Sequence, residues 1–138
     1  KARGLASPAG GVRVAQQVYR PAARLALDRW SLAGPWSVGE EFATLNNAPG
    51  RIAFRFRARD LHMVLGPGPD GRPVRFRVRI DGRQPGNDHG WDVDGEGNGS
   101  LQEPRMYQLV RQQRTVADRD FEIEFLDPGV RAYVFTFG

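Results

Sequence analysis

The sequence predicts an all-β domain, a jelly-roll β-sandwich of about ten short antiparallel strands, and three observations carry that expectation. Residues 51–59 alternate without a break, with Ile52, Phe54, Phe56 and Ala58 on one face and Arg51, Arg55, Arg57 and Arg59 on the other. Residues 74–80 repeat the pattern, Val74, Phe76, Val78 and Ile80 opposing Arg75, Arg77 and Arg79. A period of two is that of a strand with one buried face, and such a face needs a second layer to cover it. Finally, 17 glycines and 10 prolines among 138 residues punctuate the chain at short intervals, while 40% hydrophobic residues supply a core and argue against disorder. The length suits one domain.

In order along the chain, residues 1–11 are rich in Ala, Gly, Ser and Pro without periodicity, which predicts a linker, leaving 12–138 as the sandwich domain. Val12, Val14, Gln16 and Val18 alternate as a strand over 12–19 that Pro21 ends, and Leu25 and Leu27 alternate again toward Trp30. A tight turn is expected at Gly34-Pro35, between Trp30 and Trp36, whose indoles belong in the core, and a further strand over 37–45. The first arginine-faced arm slips phase near Asp60, so that Leu61, Met63 and Leu65 become the apolar set; a bulge produces that slip. His62 beside it is expected to be a structural strand residue. Residues 66–71 and the Asp81-Gly82 pair are turns around the second arm. Residues 86–100 are dense in Gly, Asp and Asn around Trp91 and Val93. Residues 105–113 fit a helix through Met106, Leu109 and Val110 or a strand through Tyr107, Leu109 and Arg111; neighbouring strands favour the strand. A closing hairpin joins 121–126 to 130–137 through Asp127-Pro128-Gly129, with Tyr133, Phe135 and Phe137 expected as one aromatic face. The core should contain Ile52, Phe54, Phe56, Val74, Phe76, Val78, Phe121, Ile123 and Phe125.

The net charge is +4, and every basic residue of the 20 except Lys1 is arginine. These arginines are spread along the chain among 16 acids, without a recognition helix or stacking motif, so nucleic acid is not the expected partner. Glu122 and Glu124 alternate with Phe121, Ile123 and Phe125, and cross-strand Arg–Glu pairs explain the arginine face. The alternative is an anionic ligand, since Arg55, Arg57, Arg75, Arg77 and Arg79 outnumber those two glutamates. With no cysteine, thiol catalysis, thiolate metal sites and disulfides are excluded from this segment. The chain begins at lysine and holds no apolar run of membrane length, so it is expected to be an excised piece, its targeting signal not visible.

Chemistry concentrates in one loop. Residues 92–103 meet the spacing of a calcium-binding EF-hand loop, with Gly97 sixth and Glu103 twelfth, but strand-like flanks and Pro104 replace the helices that motif needs. Asp94-Gly95 and Asn98-Gly99 explain the same letters as turns, with a calcium site at Asp92, Asp94 and Glu96 as the alternative. Just before it, Asp88, His89, Trp91 and Asp92 gather imidazole, carboxylates and an indole. That mixture suits sugar recognition, an aromatic plane stacking on a pyranose while carboxylates and imidazole bind hydroxyls, with Tyr107 a candidate neighbour. No nucleophile elbow, phosphate loop or zinc-helix motif is present, so no catalytic residue is expected.

Several stretches together carry a family resemblance: Trp30-Ser-Leu-Ala-Gly34-Pro-Trp36-Ser-Val38-Gly39, residues 50–62, Asp88-His89-Gly90-Trp91-Asp92-Val93-Asp94, Arg105-Met-Tyr107-Gln108-Leu109 and residues 121–138. The chain resembles, over nearly its whole length, the C-terminal domain of DipZ-type proteins, of the cytochrome c biogenesis and thiol–disulfide exchange kind, in which a TlpA-like thioredoxin domain comes just before. The resemblance implies a jelly roll similar to carbohydrate-binding modules, held outside the cytoplasmic membrane, in a periplasmic or extracytoplasmic setting, and attached to the membrane only through its parent protein. It implies a non-catalytic accessory domain without cofactor, whose partners are a saccharide or cell-envelope polymer and the upstream thioredoxin-like domain. The alternative is a docking domain that packs on that neighbour or on its protein substrates and takes no small ligand.

Overall fold

The computed structural model describes residues 2–3, 16–19 and 30–138. The Leu25–Leu27 alternation and the first half of the strand expected over 12–19 lie outside the described residues, as does most of the expected linker. Among the described residues eleven strands are formed: β1 (Ala2–Arg3), β2 (Gln16–Tyr19), β3 (Trp30–Val38), β4 (Ala43–Leu45), β5 (Gly50–Phe56), β6 (Asp60–Gly66), β7 (Val74–Ile80), β8 (Asn98–Leu101), β9 (Arg105–Arg111), β10 (Arg119–Phe125) and β11 (Arg131–Phe137). Helical structure among the described residues is limited to a 3-10 turn at Gly86–Asp88. The chain is an all-β sandwich of jelly-roll type, as the alternation predicted. Residues 2–3, expected within the linker, instead pair as β1 with Thr136 and Phe135 of β11.

One layer runs β8-β7-β10-β5-β3 and the other β3-β4-β11-β6-β9, so β3 belongs to both. Its first half, from Trp30 to Ala33, pairs with β5, and its second half, from Trp36 to Val38, with β4. The expected tight turn at Gly34-Pro35 is therefore a corner inside one continuous strand. Gly34 has φ +112°, and a Cβ there would lie 3.1 Å from Gly50 Cα and Pro49 O, so only glycine lets the strand turn against its neighbour. The strand expected over 37–45 is likewise two strands, separated by a turn that the Gly39 N–H closes on the Phe42 carbonyl at 3.0 Å.

In the first layer β10 lies between the two arginine-faced arms. Ile123 stands opposite Ile52 of β5 and Val78 of β7, and Phe121 opposite Phe54 and Ile80. All nine residues expected in the core are buried, because this register turns all three apolar faces inward. Outward, Arg51 pairs with Glu124 at 3.2 Å and Glu122 at 3.4 Å, Arg55 with Asp120 at 3.0 Å, and Arg75 with Asp127 at 2.8 Å.

In the second layer, Leu61, Met63 and Leu65 of β6 and Tyr107 and Leu109 of β9 point inward, and the stretch expected over 105–113 is a strand from Arg105 to Arg111. The phase slip near Asp60 has a larger cause than a bulge: the chain leaves the first layer after Phe56 and enters the second at Asp60. A register shift does occur in the β6–β9 pairing, between Leu61 and His62. On β11 the expected aromatic face is broken by a shift between Ala132 and Val134, so that Ala132 and Phe135 are buried while Tyr133 turns out against Phe42 at 5.3 Å. Phe135 ties the layers together, stacked on Phe54 at 5.1 Å and edge-on to Phe121 at 6.0 Å. Trp30 and Trp36 are buried, Trp36 edge-on to Phe125 at 6.0 Å.

Candidate ligand site beside Trp91

β9 is the outer strand of its layer, and an exposed strand edge carries unpaired backbone donors and acceptors. The loop that follows the 3-10 turn covers this edge. The Gly90 N–H donates to the Leu109 carbonyl at 3.0 Å and the Asp92 N–H to the Gln108 carbonyl at 3.0 Å, with a further bridge between His89 and Val110. Gly90 is required for this approach, because a Cβ would run into the backbone of Gln108.

Side chains complete the docking. One Asp92 oxygen accepts the Gln108 N–H at 2.7 Å, and Arg105 grips the carboxylate with both terminal nitrogens, at 2.8 and 3.2 Å. Burial pushes the Asp92 carboxyl up, but the Arg105 guanidinium and the Gln108 N–H outweigh it and hold the carboxyl below its ordinary range. Asp88 accepts the Gln113 N–H at 2.8 Å and pairs with Arg119 at 3.1 Å. Asp94 closes the next turn, accepting the N–H groups of Glu96 and Asn98 at 3.0 and 2.8 Å.

This scaffold carries Trp91 into solvent with 86% of its surface exposed. Beside the indole lies a hollow of about 210 Å³, lined by His89, Gln108, Arg111, Gln113 and Asn87, with Asp60 and Val110 also on its wall. His89 Nδ1 lies 2.8 Å from the Gly90 carbonyl, which can only accept, so Nδ1 is the donor of that bond. An indole plane next to amides, an imidazole and a guanidinium can stack on a flat polar ring and hydrogen-bond its rim.

Of the residues singled out from the sequence, the structure brings His89 and Trp91 together and uses Asp88 and Asp92 differently. Their carboxylates were expected to accept ligand hydroxyls; instead they face Arg119 and Arg105, because the loop needs them to bind the strand edge. Tyr107 lies elsewhere: its ring is buried under the Arg105 guanidinium at 3.8 Å and its hydroxyl donates to the Glu103 carbonyl at 2.7 Å. It touches a separate hollow with Glu103 and Arg105. The calcium alternative has no geometry behind it. Asp92 turns to Arg105, Asp94 caps its turn, and no cluster of three or more acidic or histidine side chains suited to a metal occurs among the described residues. Gln108, Arg111 and Gln113 escaped the sequence reading because only the docking of the loop on β9 makes them neighbours of Trp91.

The fold and this hollow define a β-sandwich domain with an aromatic-flanked recess at one sheet edge, lined by both apolar and polar groups. The chain belongs to the thioredoxin-like C-terminal domain family, whose model matches residues 1–138. Among solved structures it is similar to a family two carbohydrate esterase from Clostridium thermocellum in complex with cellohexaose. That likeness has 12% identity and a TM-score of 0.48, and covers 71% of this chain and 27% of the other. No curated protein matches the sequence.

Proposed function

We propose that this chain is a non-catalytic accessory domain that holds a saccharide or cell-envelope polymer at Trp91. Its setting on this reading is a DipZ-type protein of cytochrome c biogenesis, outside the cytoplasmic membrane, with a thioredoxin-like domain before this sandwich. Binding there raises the local concentration of the attached redox domain at the polymer without any chemistry in this segment, which has no cysteine. The observation that supports the reading is an indole 86% exposed, on a loop whose backbone is pinned to β9, at the lip of a hollow that mixes apolar and polar groups. A folding chain gains nothing from holding so large an apolar surface in water, whereas a ligand ring stacked on it recovers that burial.

Calorimetric titration against a panel of oligosaccharides tests this. Wild type should bind at least one, and Trp91→Ala should lose the signal while the melting temperature stays within a few degrees, since an exposed side chain contributes little to stability. Absence of binding at millimolar concentration would sink the proposal.

A second reading has its own observation. Met106, 44% exposed, stands with Trp91 as a large exposed hydrophobic side chain, and both lie on or beside β9, which suits docking on the thioredoxin-like neighbour or its substrates. Hydrogen exchange separates the two readings: protection of residues 86–92 and 105–111 in the two-domain protein relative to this domain alone favours docking.

A further inference from the structure

We infer that the saccharide taken at this site carries a carboxylate, and that Arg111 receives it; the inference rests on the saccharide reading of the Trp91 hollow. The arginines around the loop differ in what holds them. Arg105 is gripped by Asp92, and Arg119 by Asp81 at 2.7 Å and Asp88 at 3.1 Å, so both are fixed parts of the scaffold. Arg111 is different. It faces the hollow from β9, half-exposed, opposite Asp60 on β6. Its Nε lies 3.7 Å from Asp60 Oδ1, too far for a hydrogen bond, and its side chain makes none among the described residues. Asp60 already has a closer cation: Arg59 reaches Oδ2 with Nε and a terminal nitrogen, both at 3.0 Å. The two charged side chains on the wall of the hollow are thus an acid neutralised from outside and a guanidinium whose terminal fork is open.

A guanidinium fork matches a carboxylate with two parallel hydrogen bonds, and such charge-assisted bonds are stronger than those to neutral hydroxyls. A uronic-acid ring stacked on Trp91 offers the remaining hydroxyls to His89, Gln108 and Gln113. A neutral sugar would leave the terminal nitrogens of Arg111 without a carboxylate to bridge, its nearest charge being Asp60 at 3.7 Å from Nε.

Titration of wild type with an oligogalacturonate and with a neutral galactan oligosaccharide of equal length tests the inference. The acidic ligand should bind about tenfold tighter or more, as charged hydrogen bonds contribute about 1.5–3 kcal/mol, and the advantage should shrink at higher salt. Arg111→Gln should abolish the advantage, bringing the acidic and neutral affinities together, while the protein stays folded. Arg111→Lys, which keeps the charge but not the fork, should retain part of the preference. Equal or tighter binding of the neutral oligosaccharide overturns the inference and leaves the saccharide reading standing, as does a preference that survives in Arg111→Gln. A sugar phosphate bound tighter than the uronate overturns the carboxylate assignment. If no saccharide binds at all, the underlying reading falls with it.

Discussion

Asp92 is the residue on which the loop turns. Its carboxylate satisfies an edge N–H of β9 and a guanidinium at once, so Asp92→Ala leaves both without their partner and removes the anchor next to Trp91. A loss of about 1–3 kcal/mol is expected in urea unfolding, together with weaker ligand binding even though Asp92 touches no ligand. An unchanged midpoint would mean that the loop is held by its backbone bonds alone. Sequence pattern singled out the loop for its density of turn formers and charged groups around Trp91, but with Val93 two positions on Trp91 also read as strand-like, and letters alone could not say that its indole faces solvent. The same pattern could not show that Asp88 and Asp92 face arginines, because a carboxylate in a loop has the same letter whether it faces a ligand or an arginine far along the chain. Their partners, Arg119 and Arg105, are separated from them by 31 and 13 positions, and nothing local marks the pairing.

At the scale of elements, the β5–β10–β7 ladder was legible because alternation alone decides which face of each strand is apolar, and complementary charges on the third strand indicated where it sits. Phe76 and Arg77 are adjacent on β7 and point oppositely. Phe76→Ala should cost about 3–5 kcal/mol and Arg77→Ala roughly 0.5 kcal/mol, measured by chemical denaturation. Similar losses for the two would mean the faces are reversed. What alternation could not reveal was where a strand changes layer. Gly34-Pro35 has the letters of a turn, and only the two partners of β3 distinguish a corner from a reversal. The shift in β11 was equally hidden, since Tyr133, Phe135 and Phe137 keep a perfect period of two while the backbone does not.

For the whole molecule, the many Arg–carboxylate pairs make stability depend on acid pH, and Asp127 shows the direction. The Arg75 guanidinium and the Arg75 backbone N–H, each hydrogen-bonded to the Asp127 side chain at 2.8 to 2.9 Å, lower its carboxyl to about 2. This bond extends the β7–β10 ladder past the Leu126 N–H, which donates to the Arg75 carbonyl at 2.9 Å. In the unfolded chain the same carboxyl titrates near its ordinary value, about 4. The unfolded state therefore binds the proton first, and stability is fully present above about pH 4 and declines as the pH falls toward about 2. Asp92, also held below its ordinary range, adds to the decline in the same direction. Melting temperatures recorded from pH 7 downward should stay level to about pH 4 and then fall, with Asp127→Asn flattening part of the descent. A midpoint that holds constant to pH 2, or an Asp127→Asn profile parallel to wild type throughout, would show that this carboxylate does not couple proton binding to the closing of the sandwich.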